Sequence, residues 1–376
     1  MNILIASDKF KGSLTASEAC EAIATGIRAE AGDSTHSIRC LPIADGGDGL
    51  AETLLSACGG VWVEKTVSGP LGDPVRSGYA LIDNGRTAVI EMAKASGLAL
   101  LGNRPNDPRR ASTKGTGELI ADAMRHGVDE IVLGIGGSAT NDGGAGLAEA
   151  LGFRFEDSSG HNLTGMPSEI EQVARIVPPL NLRLPRVTVA CDVTNPLLGS
   201  KGCTRVYGPQ KGIAPADLAS HEARLARLVA LSGEAGKVAA ICPGAGAAGG
   251  LGFGALVFLN AELTPGFDLV AEKLDLGAAI EAADLVITGE GRLDSQSLQG
   301  KGPHGVARRA RARGRLTAAF CGSLESGNLE NEFGPVTVIA DPGLDLPTNL
   351  ARGRELLEEA AKHFARTELV QLASMP

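Results

Sequence analysis

The sequence predicts an α/β protein of two domains, and three observations carry this prediction. The chain has 376 residues, which is too long for one core of typical size and about right for two. Strand–helix–strand patterns stand near both chain ends, and they favour parallel sheets. Hydrophobic residues make up 43% of the chain but aromatic residues only 3%, so the cores must be built from Ala, Val, Leu and Ile.

We expect one domain to be formed by both chain ends. A parallel-sheet, Rossmann/flavodoxin-like α/β domain would comprise residues 1–60 plus 280–376. A second, mixed α/β domain, residues 61–279, would be inserted into it. No repeat period and no low-complexity linker separates the two parts, so these boundaries depend on the pattern of elements alone.

The N-terminal pattern begins with a short apolar run, residues 3–6, which predicts a buried strand. Thr15-Ala-Ser-Glu18 has the spacing of a capping box and predicts a helix that runs to about Glu30 and ends at Gly32. Residues 37–43 are the next predicted strand. Near the C-terminus the same reasoning predicts strands over residues 284–288, 316–321 and 335–340 and helices over residues 303–313 and 349–366.

The middle of the chain is less regular, because Gly, Pro and Asn turns interrupt short apolar runs. A helix is predicted over residues 116–126, closed by Gly127. An apolar run from Ile131 to Gly134 leads directly into a glycine-rich loop. Further strands are predicted over residues 61–67, 78–82, 88–92 and 187–191.

Composition argues against several classes of function. The net charge is −9, whereas a nucleic-acid partner requires a basic face. Seven cysteines at irregular spacing are typical of reduced thiols in the cytoplasm. The N-terminus lacks the layout of a signal peptide, and no apolar run approaches the roughly 18 residues that a membrane span needs. We therefore expect a cytoplasmic protein without a nucleic-acid or membrane partner.

The glycine-rich loop after Gly134 is the strongest functional signal in the chain. Because glycine has no Cβ, the backbone N–H groups of such a loop can approach phosphate oxygens closely. The carboxylate of Asp142 would repel a phosphate unless a cation lay between them. The loop thus predicts a phosphate site with a metal nearby, and a plain glycine-rich strand–helix connection is the alternative. The phosphate-binding candidates are Gly136, Gly137, Ser138, Thr140, Asn141 and Gly143.

Two further motifs follow the first two predicted strands. Asp8-Lys-Phe-Lys-Gly-Ser13 supplies one carboxylate and the ammonium groups of Lys9 and Lys11 at a strand end, where open parallel sheets bind ligands. Asp45-Gly-Gly-Asp48-Gly49 sets two carboxylates on a glycine frame that suits Mg²⁺ or a sugar-like hydroxyl. A solvated charged loop and an acidic turn are the respective alternatives.

Another strand end, after residue 191, carries Asp192 and Asn195, and Lys211 follows in Pro209-Gln-Lys-Gly212. Asp192 suits a general base or a metal ligand, and an Asx turn before Pro196 is the alternative.

The last motif is Thr288-Gly-Glu290-Gly-Arg292-Leu-Asp294, with Lys301 shortly after it. Asp294 suits a metal ligand or, alternatively, a helix cap. Glu290 and Arg292 have no evident structural task, which favours a place in a site.

Taken together, carboxylates, glycine loops and lysines at strand ends are the parts that phosphoryl transfer requires. The sequence matches the dinucleotide fingerprint formally at residues 134–139 and 244–249, so a nicotinamide-dependent dehydrogenase is a competing hypothesis. The Walker A spacing, HExxH and GxSxG are absent, and six scattered histidines argue against zinc.

These motifs resemble those of the glycerate kinase type-1 family in order and spacing, over nearly the whole chain. One departure is Tyr207, where the family often has Phe. The segments that carry the resemblance are Ser7-Asp-Lys-Phe-Lys-Gly-Ser-Leu14, Pro42-Ile-Ala-Asp-Gly-Gly-Asp-Gly49, Gly136-Gly-Ser-Ala-Thr-Asn-Asp-Gly-Gly144, Asp192-Val-Thr-Asn-Pro-Leu197, Tyr207-Gly-Pro-Gln-Lys-Gly212, Pro243-Gly-Ala-Gly-Ala-Ala-Gly-Gly-Leu-Gly252 and Ile287-Thr-Gly-Glu-Gly-Arg-Leu-Asp294.

The resemblance implies two α/β domains and a kinase that uses ATP and Mg²⁺ to convert D-glycerate to 2-phosphoglycerate in glyoxylate or sugar-acid catabolism. A kinase that forms 3-phosphoglycerate, or that acts on another small hydroxy acid, is the nearest alternative. A non-catalytic sensor of anionic metabolites is a further one. A homodimer and a monomer are both compatible with the sequence.

Within the implied reaction, we distribute roles by physical inference. Asp192 is the first choice for the base that takes the glycerate hydroxyl proton, and Asp45 is the second. Asp142 or Asp294 would hold Mg²⁺. The glycine loop would hold the ATP phosphates together with Lys211 and Glu290. The residues expected around glycerate and the γ-phosphate are Lys9, Lys11, Arg292, Asp8, Asp48 and Asn195.

Overall fold

The computed structural model describes residues 1–32, 36–294, 302–325 and 329–373. Two compact units divide the chain: unit 1 consists of Met1–Asp45 and Phe267–Pro376, and unit 2 is Gly46–Gly266. Lys301, predicted to lie just beyond the last motif, falls outside the described residues. No helix in the described part of the chain is long and apolar enough to cross a membrane.

The strands, in chain order, are β1 (Asn2–Ser7), β2 (Ser37–Cys40), β3 (Val61–Ser68), β4 (Pro74–Ile82), β5 (Thr87–Glu91), β6 (Glu130–Gly134), β7 (Arg154–Glu156), β8 (Asn162–Leu163), β9 (Arg175–Val177), β10 (Arg186–Ala190), β11 (Glu262–Thr264), β12 (Leu285–Leu293), β13 (Leu316–Leu324) and β14 (Val336–Val338).

The α-helices are α1 (Ala16–Ala31), α2 (Leu50–Cys58), α3 (Ala93–Ser96), α4 (Lys114–Arg125), α5 (Ala145–Ala150), α6 (Cys203–Tyr207), α7 (Leu218–Leu231), α8 (Gly233–Ile241), α9 (Ala247–Phe258), α10 (Gly266–Lys273), α11 (Leu276–Glu281), α12 (Gly302–Arg311), α13 (Glu330–Phe333), α14 (Leu346–Ala351), α15 (Gly353–Phe364) and α16 (Val370–Ala373).

Unit 1 is built on a parallel sheet with the strand order β14-β13-β12-β1-β2. From β1 the chain first adds β2 on one side, and after unit 2 it adds β12, β13 and β14 on the other. The direction of winding therefore reverses between β1 and β12. In doubly wound sheets the ligand crevice opens at this switch point, beyond the carboxyl ends of the two strands.

Local sequence and packing agree in unit 1. The capping box at the start of α1 is present, since the Thr15 hydroxyl accepts from the Glu18 N–H group and the Glu18 carboxylate accepts from the Thr15 N–H group. Gly32 follows the helix as its C-cap. The core packs the strands against α1 and α15 and includes Ile5, Ile287 and Phe320, which are completely buried.

Unit 2 contains a mixed sheet with the order β11-β10-β6-β5-β4-β3. The strands β5, β6, β10 and β11 run parallel, whereas β3, β4 and β5 pair antiparallel. A small antiparallel sheet has the order β8-β7-β9. Together with the parallel sheet of unit 1, this confirms the predicted mixed α/β class.

The borders of the units differ from those expected at residues 60 and 280. Unit 2 already begins at Gly46, because α2 packs on the sheet of this unit. Glu91, at the end of β5, accepts hydrogen bonds from the N–H groups of Gly49 (3.2 Å) and Ala51 (2.8 Å). A side chain of one strand thus satisfies the exposed N–H groups of a helix that is distant in sequence.

Several elements also differ from the expectation. β12 continues past residue 288 to Leu293 and stays paired with β13, so Glu290 and Arg292 lie within a strand. The helix predicted over residues 349–366 is divided into α14 and α15. The helices α7 and α8 lie in a part of the chain for which no helix was predicted.

Candidate active site

Asp8 lies where β1 ends, beside the switch point of the unit 1 sheet. Its N–H group donates to the Gly289 carbonyl of β12 (2.9 Å), which prolongs the pairing of the two strands. The side chain is 7% exposed, and its Oδ1 accepts from the Lys9 N–H group at 2.6 Å. A Cβ built on Gly302, the first residue of α12, would lie 3.4 Å from Asp8 Oδ2. The Asp8 carboxylate is therefore buried between the end of β1 and the start of α12.

Two more carboxylates come to this sheet edge. Beyond β2 the chain keeps bonding to β1, since the Ile43 N–H group donates to the Ser7 carbonyl (3.0 Å), and this leads Asp45 towards Asp8. Glu290 follows Gly289, which pairs with Ser7. The structure thus brings together three residues that belong to three separate motifs of the sequence.

The buried, negatively charged environment raises the pKa of Asp8. Burial raises it most, the negative charge of Asp45 adds to the rise, and Glu290 adds further, while the hydrogen bond and the charge of Lys9 act against it. The result is a pKa of about 7. A carboxylate with a pKa near the working pH is suited to take a proton in one step and release it in another.

The cationic candidates of unit 1 are more exposed. Lys9 is half-buried, and Lys11 and Arg292 are exposed. Arg292 Nε lies 3.3 Å from Asp294 Oδ2, and Arg292 Nη2 lies 4.0 Å from Glu325. Arg292 and Asp294, expected to serve substrate and metal separately, therefore pair with each other at the end of β12.

In unit 2 the glycine loop is divided into an exposed tip and a buried remainder. Gly136 and Gly137 are exposed, whereas residues 138–144 are buried. Thr140 Oγ1 donates to the Ala248 carbonyl (3.4 Å), and Asn141 Nδ2 donates to Thr204 Oγ1 (3.1 Å). The Gly143 N–H group donates to the Gly249 carbonyl. In this structure these groups, which we expected on phosphate, hold the loop in place instead.

Asp142 organises the same loop from inside. Its side chain is 1% exposed, and Oδ2 accepts from the Thr113 N–H and hydroxyl groups, both at 2.7 Å. The N–H groups of Gly144 and Gly146 donate to the same carboxylate at 3.1 and 3.3 Å. Burial raises the pKa of Asp142, and these hydrogen bonds act against the rise. We had expected Asp142 beside a metal, but protein donors surround it, and we assign it a structural role.

Lys211 reaches the loop from the turn before Gly212. It is 2% exposed, and its Nζ donates to Ser138 Oγ (2.6 Å) and to the Thr140 carbonyl (2.8 Å). Burial lowers the pKa of Lys211 to about 8. Lys211, which we expect at the ATP phosphates, thus contacts the glycine loop directly.

The second half of the Asp45–Gly49 motif belongs to unit 2. A Cβ built on Gly137 would lie 3.5 Å from Asp48 Oδ1 and 3.3 Å from Ala93 Cβ. Lys94 follows directly, donates to Glu52 Oε1 (2.8 Å) and lies 5.5 Å from the centre of the Trp62 ring. Lys94 therefore stands beside the exposed tip of the glycine loop.

Sequence reasoning missed Glu91 and Lys94. Glu91 is the last residue of β5 and Lys94 comes three residues later, which is the same strand-end position that identified the other motifs. The pattern offered this signal, but the segment lacks the double glycine that drew attention elsewhere.

Asp192 and Asn195 lie at the end of β10, on the same edge of the unit 2 sheet. Asp192 Oδ1 accepts from the Gly266 N–H group at 3.0 Å. Asn195 accepts from the Tyr207 hydroxyl (2.7 Å) and donates to the Lys201 carbonyl (2.8 Å). Both side chains thus help to fold their own surroundings.

Neither weak fingerprint has the surroundings that a dinucleotide site needs. The segment 244–249 follows helix α8 and not a strand, and after the segment 134–139 the helix α5 begins only at Ala145. Among residues 1–32, 36–294, 302–325 and 329–373, no group of three or more His, Cys, Asp or Glu side chains is arranged to hold a metal by itself.

Comparison with known proteins gives one consistent result. The model of the glycerate kinase family matches residues 3–369. A glycerate kinase of Bacillus subtilis is 43% identical over 375 residues, which cover 97% of this chain and 94% of that protein. A glycerate 2-kinase of Escherichia coli is 40% identical, with 96% and 93% covered. A crystal structure from Salmonella typhimurium LT2, assigned as a glycerate kinase 2, superposes with a TM-score of 0.90 at 39% identity and covers 99% of both chains.

Proposed function

Because the chain belongs to the glycerate kinase family, we propose that it transfers the γ-phosphoryl group of ATP to D-glycerate with Mg²⁺ and forms 2-phosphoglycerate. The observation that carries the proposal is the cluster of three carboxylates, Asp8, Asp45 and Glu290, at the switch point of the unit 1 sheet. Within this cluster the pKa of Asp8 is raised to about 7. The name of the 40%-identical E. coli relative, glycerate 2-kinase, supports the choice of product.

In this proposal Asp8 is the general base. As the 2-hydroxyl oxygen of glycerate bonds to the γ-phosphorus, its proton passes to Asp8 and the bond from phosphorus to the bridging oxygen breaks, which leaves ADP. We prefer Asp8 to Asp192, our first choice from sequence, because Asp192 accepts the Gly266 N–H group, whereas the raised pKa of Asp8 suits a base. Asp45 is the second choice, and its charge keeps Asp8 basic.

Charge complementarity assigns the remaining roles. Lys9, Lys11 and Arg292 are the cations of unit 1 closest in sequence to the carboxylates, and they suit the carboxylate of glycerate and the transferred phosphoryl group. In unit 2 the exposed residues Gly136 and Gly137 suit the ATP phosphates. Lys94, which interacts with the Asp48 carboxylate beside Gly137, would offset the repulsion between that carboxylate and a phosphate.

The donor set also fits Mg²⁺ as kinases use it, bound by one or two carboxylates together with phosphate oxygens. Asp45 and Glu290 would hold the ion, since their negative charge is concentrated beside Asp8. When bound, the ion neutralises charge that develops on the transferred phosphoryl group.

The test is a coupled assay with purified protein, ATP, Mg²⁺ and D-glycerate. Phosphoenolpyruvate formed with enolase alone is the expected result and identifies the 2-phosphate. A signal that also needs phosphoglycerate mutase would establish 3-phosphorylation. If the protein is folded and neither assay forms phosphoenolpyruvate, glycerate is not the substrate, and other small hydroxy acids would be tested next.

A further inference from the structure

We infer that a pocket beside Lys211 in unit 2, the Lys211 pocket, binds the adenine and ribose of ATP, an inference that rests on the proposed function. The pocket has a volume of about 580 Å³ and is formed by residues 98–106 on one side and 209–212 on the other. Small-molecule sites in proteins typically enclose about 300–1,000 Å³, so a nucleoside is of suitable size.

The Lys211 pocket combines apolar side chains, against which a flat ring can pack, with polar ones that include Arg104 and Asn106. Leu98, Leu101, Pro105 and Pro209 line it, and burial of an aromatic base against such side chains is favourable in proportion to the apolar area removed from water. Gln210, which is exposed, stands at the rim. Its amide can both donate and accept, as the edge of a base or the ribose hydroxyls require.

The pocket and the glycine loop share a wall. The Leu98 N–H group donates to the Gly137 carbonyl at 2.9 Å, and Asn106 Nδ2 donates to the Ala139 carbonyl at 2.7 Å and to the Lys211 carbonyl at 2.9 Å. Both pocket segments are therefore anchored on residues 137–139. A nucleoside in the pocket would have its 5′ side directed along the loop whose exposed tip we assign to the phosphates.

Lys211 lines the pocket and also contacts the glycine loop, so it lies between the proposed nucleoside and phosphate sites. An ammonium group has three N–H donors, and contacts to Ser138 Oγ and the Thr140 carbonyl use two of them. Burial depresses its pKa to about 8, although the charge of Asp142 acts against this fall. A buried positive charge therefore stands here at neutral pH, hydrogen-bonded to two neutral oxygens. An anionic phosphate would compensate this charge.

The experiment separates the nucleoside from the phosphates. ADP and inorganic pyrophosphate are titrated by calorimetry into the full-length protein and into Gln210→Trp, which places a large ring in the pocket. We expect Gln210→Trp to weaken ADP by about tenfold or more and pyrophosphate by less than about twofold. Gln172→Trp makes the same exchange at an exposed position of unit 2 outside the pocket and should change neither affinity.

Two results would overturn the inference: wild-type affinity of Gln210→Trp for ADP, or equal loss for ADP and pyrophosphate. Leu98→Ala provides a second probe, because it removes apolar wall without blocking space and should weaken ADP several-fold, again without affecting pyrophosphate. Glycerate turnover is measured separately. If Gln210→Trp turns over glycerate with an unchanged KM for ATP, the Lys211 pocket is not the nucleoside site, but the proposed function stands. If ADP binds in the pocket but the protein does not phosphorylate glycerate, only the proposed function is wrong.

Discussion

Asp8 in unit 1 and Asp142 in unit 2 are both almost fully buried, at 7% and 1% exposure, and both follow a parallel strand. Asp142 accepts four hydrogen bonds from protein donors. Asp8 instead has the carboxylates of Asp45 and Glu290 as electrostatic neighbours. The same residue type therefore has its charge satisfied by hydrogen-bond donors in one unit and raised in pKa by burial and neighbouring carboxylates in the other. This difference is why we assign Asp142 to the scaffold and propose Asp8 as the base.

The largest expected effect comes from Asp8→Asn. It removes the proposed base and keeps the shape, so kcat should fall by about 10²- to 10⁴-fold, measured with the enolase-coupled assay at saturating substrates. Turnover within a few-fold of the wild type would return the role of base to Asp45 or Asp192.

Stability provides the control for this variant. The folded pKa of Asp8, about 7, exceeds the unfolded value of about 3.9, so its contribution to stability is fully present below pH 4 and is lost as pH rises through 7. At pH 8 and in EDTA, Asp8→Asn should unfold at an equal or higher temperature than the wild type. A clearly lower Tm would mean that Asp8 is a structural residue like Asp142.

Asp142→Asn should show the opposite behaviour. It replaces one acceptor oxygen with an amino group that faces N–H donors, and the cost should be about 2–4 kcal/mol in the free energy of unfolding. Denaturant titration measures this loss. The kcat of the folded fraction should stay within about threefold of the wild type, and a loss as large as that of Asp8→Asn would place Asp142 in the chemistry.

Gly137→Ala tests the exposed tip of the glycine loop. Gly137 has a φ of +72°, and an added Cβ would meet Asp48 and Ala93. Gly72 is a matched control, since its φ is +93° and nothing lies within 4 Å of an added Cβ. Both variants should lose about 1–2 kcal/mol of stability, but only Gly137→Ala should raise the KM for ATP, by about tenfold. Equal KM values would argue against phosphate binding at the tip.

The smallest expected effect is a shift in the pH profile. If Asp8 must be ionised to act, kcat/KM should rise with pH through a midpoint at or below about 7, the pKa of Asp8 without a bound cation, because Mg²⁺ held by Asp45 and Glu290 favours the ionised form. At saturating Mg²⁺, Asp45→Asn leaves the ion on Glu290 and removes one negative neighbour, so the midpoint should move to lower pH by roughly one unit or less. The midpoint is read independently of the absolute rate, so a slow variant remains informative. An unmoved midpoint would show that the titrating group lies elsewhere.

The parts of unit 1 that sequence predicted are those that local patterns determine. The capping box at Thr15, the strand before Asp8 and the convergence of motifs at strand ends need only periodicity and the geometry of parallel sheets. The end of β12 was not predictable in this way, because Gly289 and Gly291 interrupt the apolar pattern while β13 continues to pair beside them.

In unit 2 the roles of the loop residues could not be predicted from their types. Thr140, Asn141 and Asp142 are as suitable for phosphate or metal as for internal hydrogen bonds, and the choice depends on partners such as Thr113 and Thr204 that are distant in sequence. The same holds for Glu91, whose partners Gly49 and Ala51 lie some forty positions before it. Hydrogen bonds between buried polar groups that are distant in the chain produce no periodic pattern in the sequence, so they cannot be predicted from it.

The two ends of unit 2 meet. A Cβ built on Gly46 would lie 2.6 Å from the Cα atom of Gly266, so the chain enters and leaves this unit at nearly one point. Although unit 2 is long, it therefore bridges only a short distance between Asp45 and Phe267, the unit 1 residues on either side of it, as a tight turn would. Because the entropic cost of closing a loop grows only with the logarithm of its length, the length of the insertion has little effect on the stability of the unit 1 sheet. The close contact of Gly46 with Gly266 is thus a point at which a segment of almost any length can be inserted without separating the two chain ends that the insertion joins.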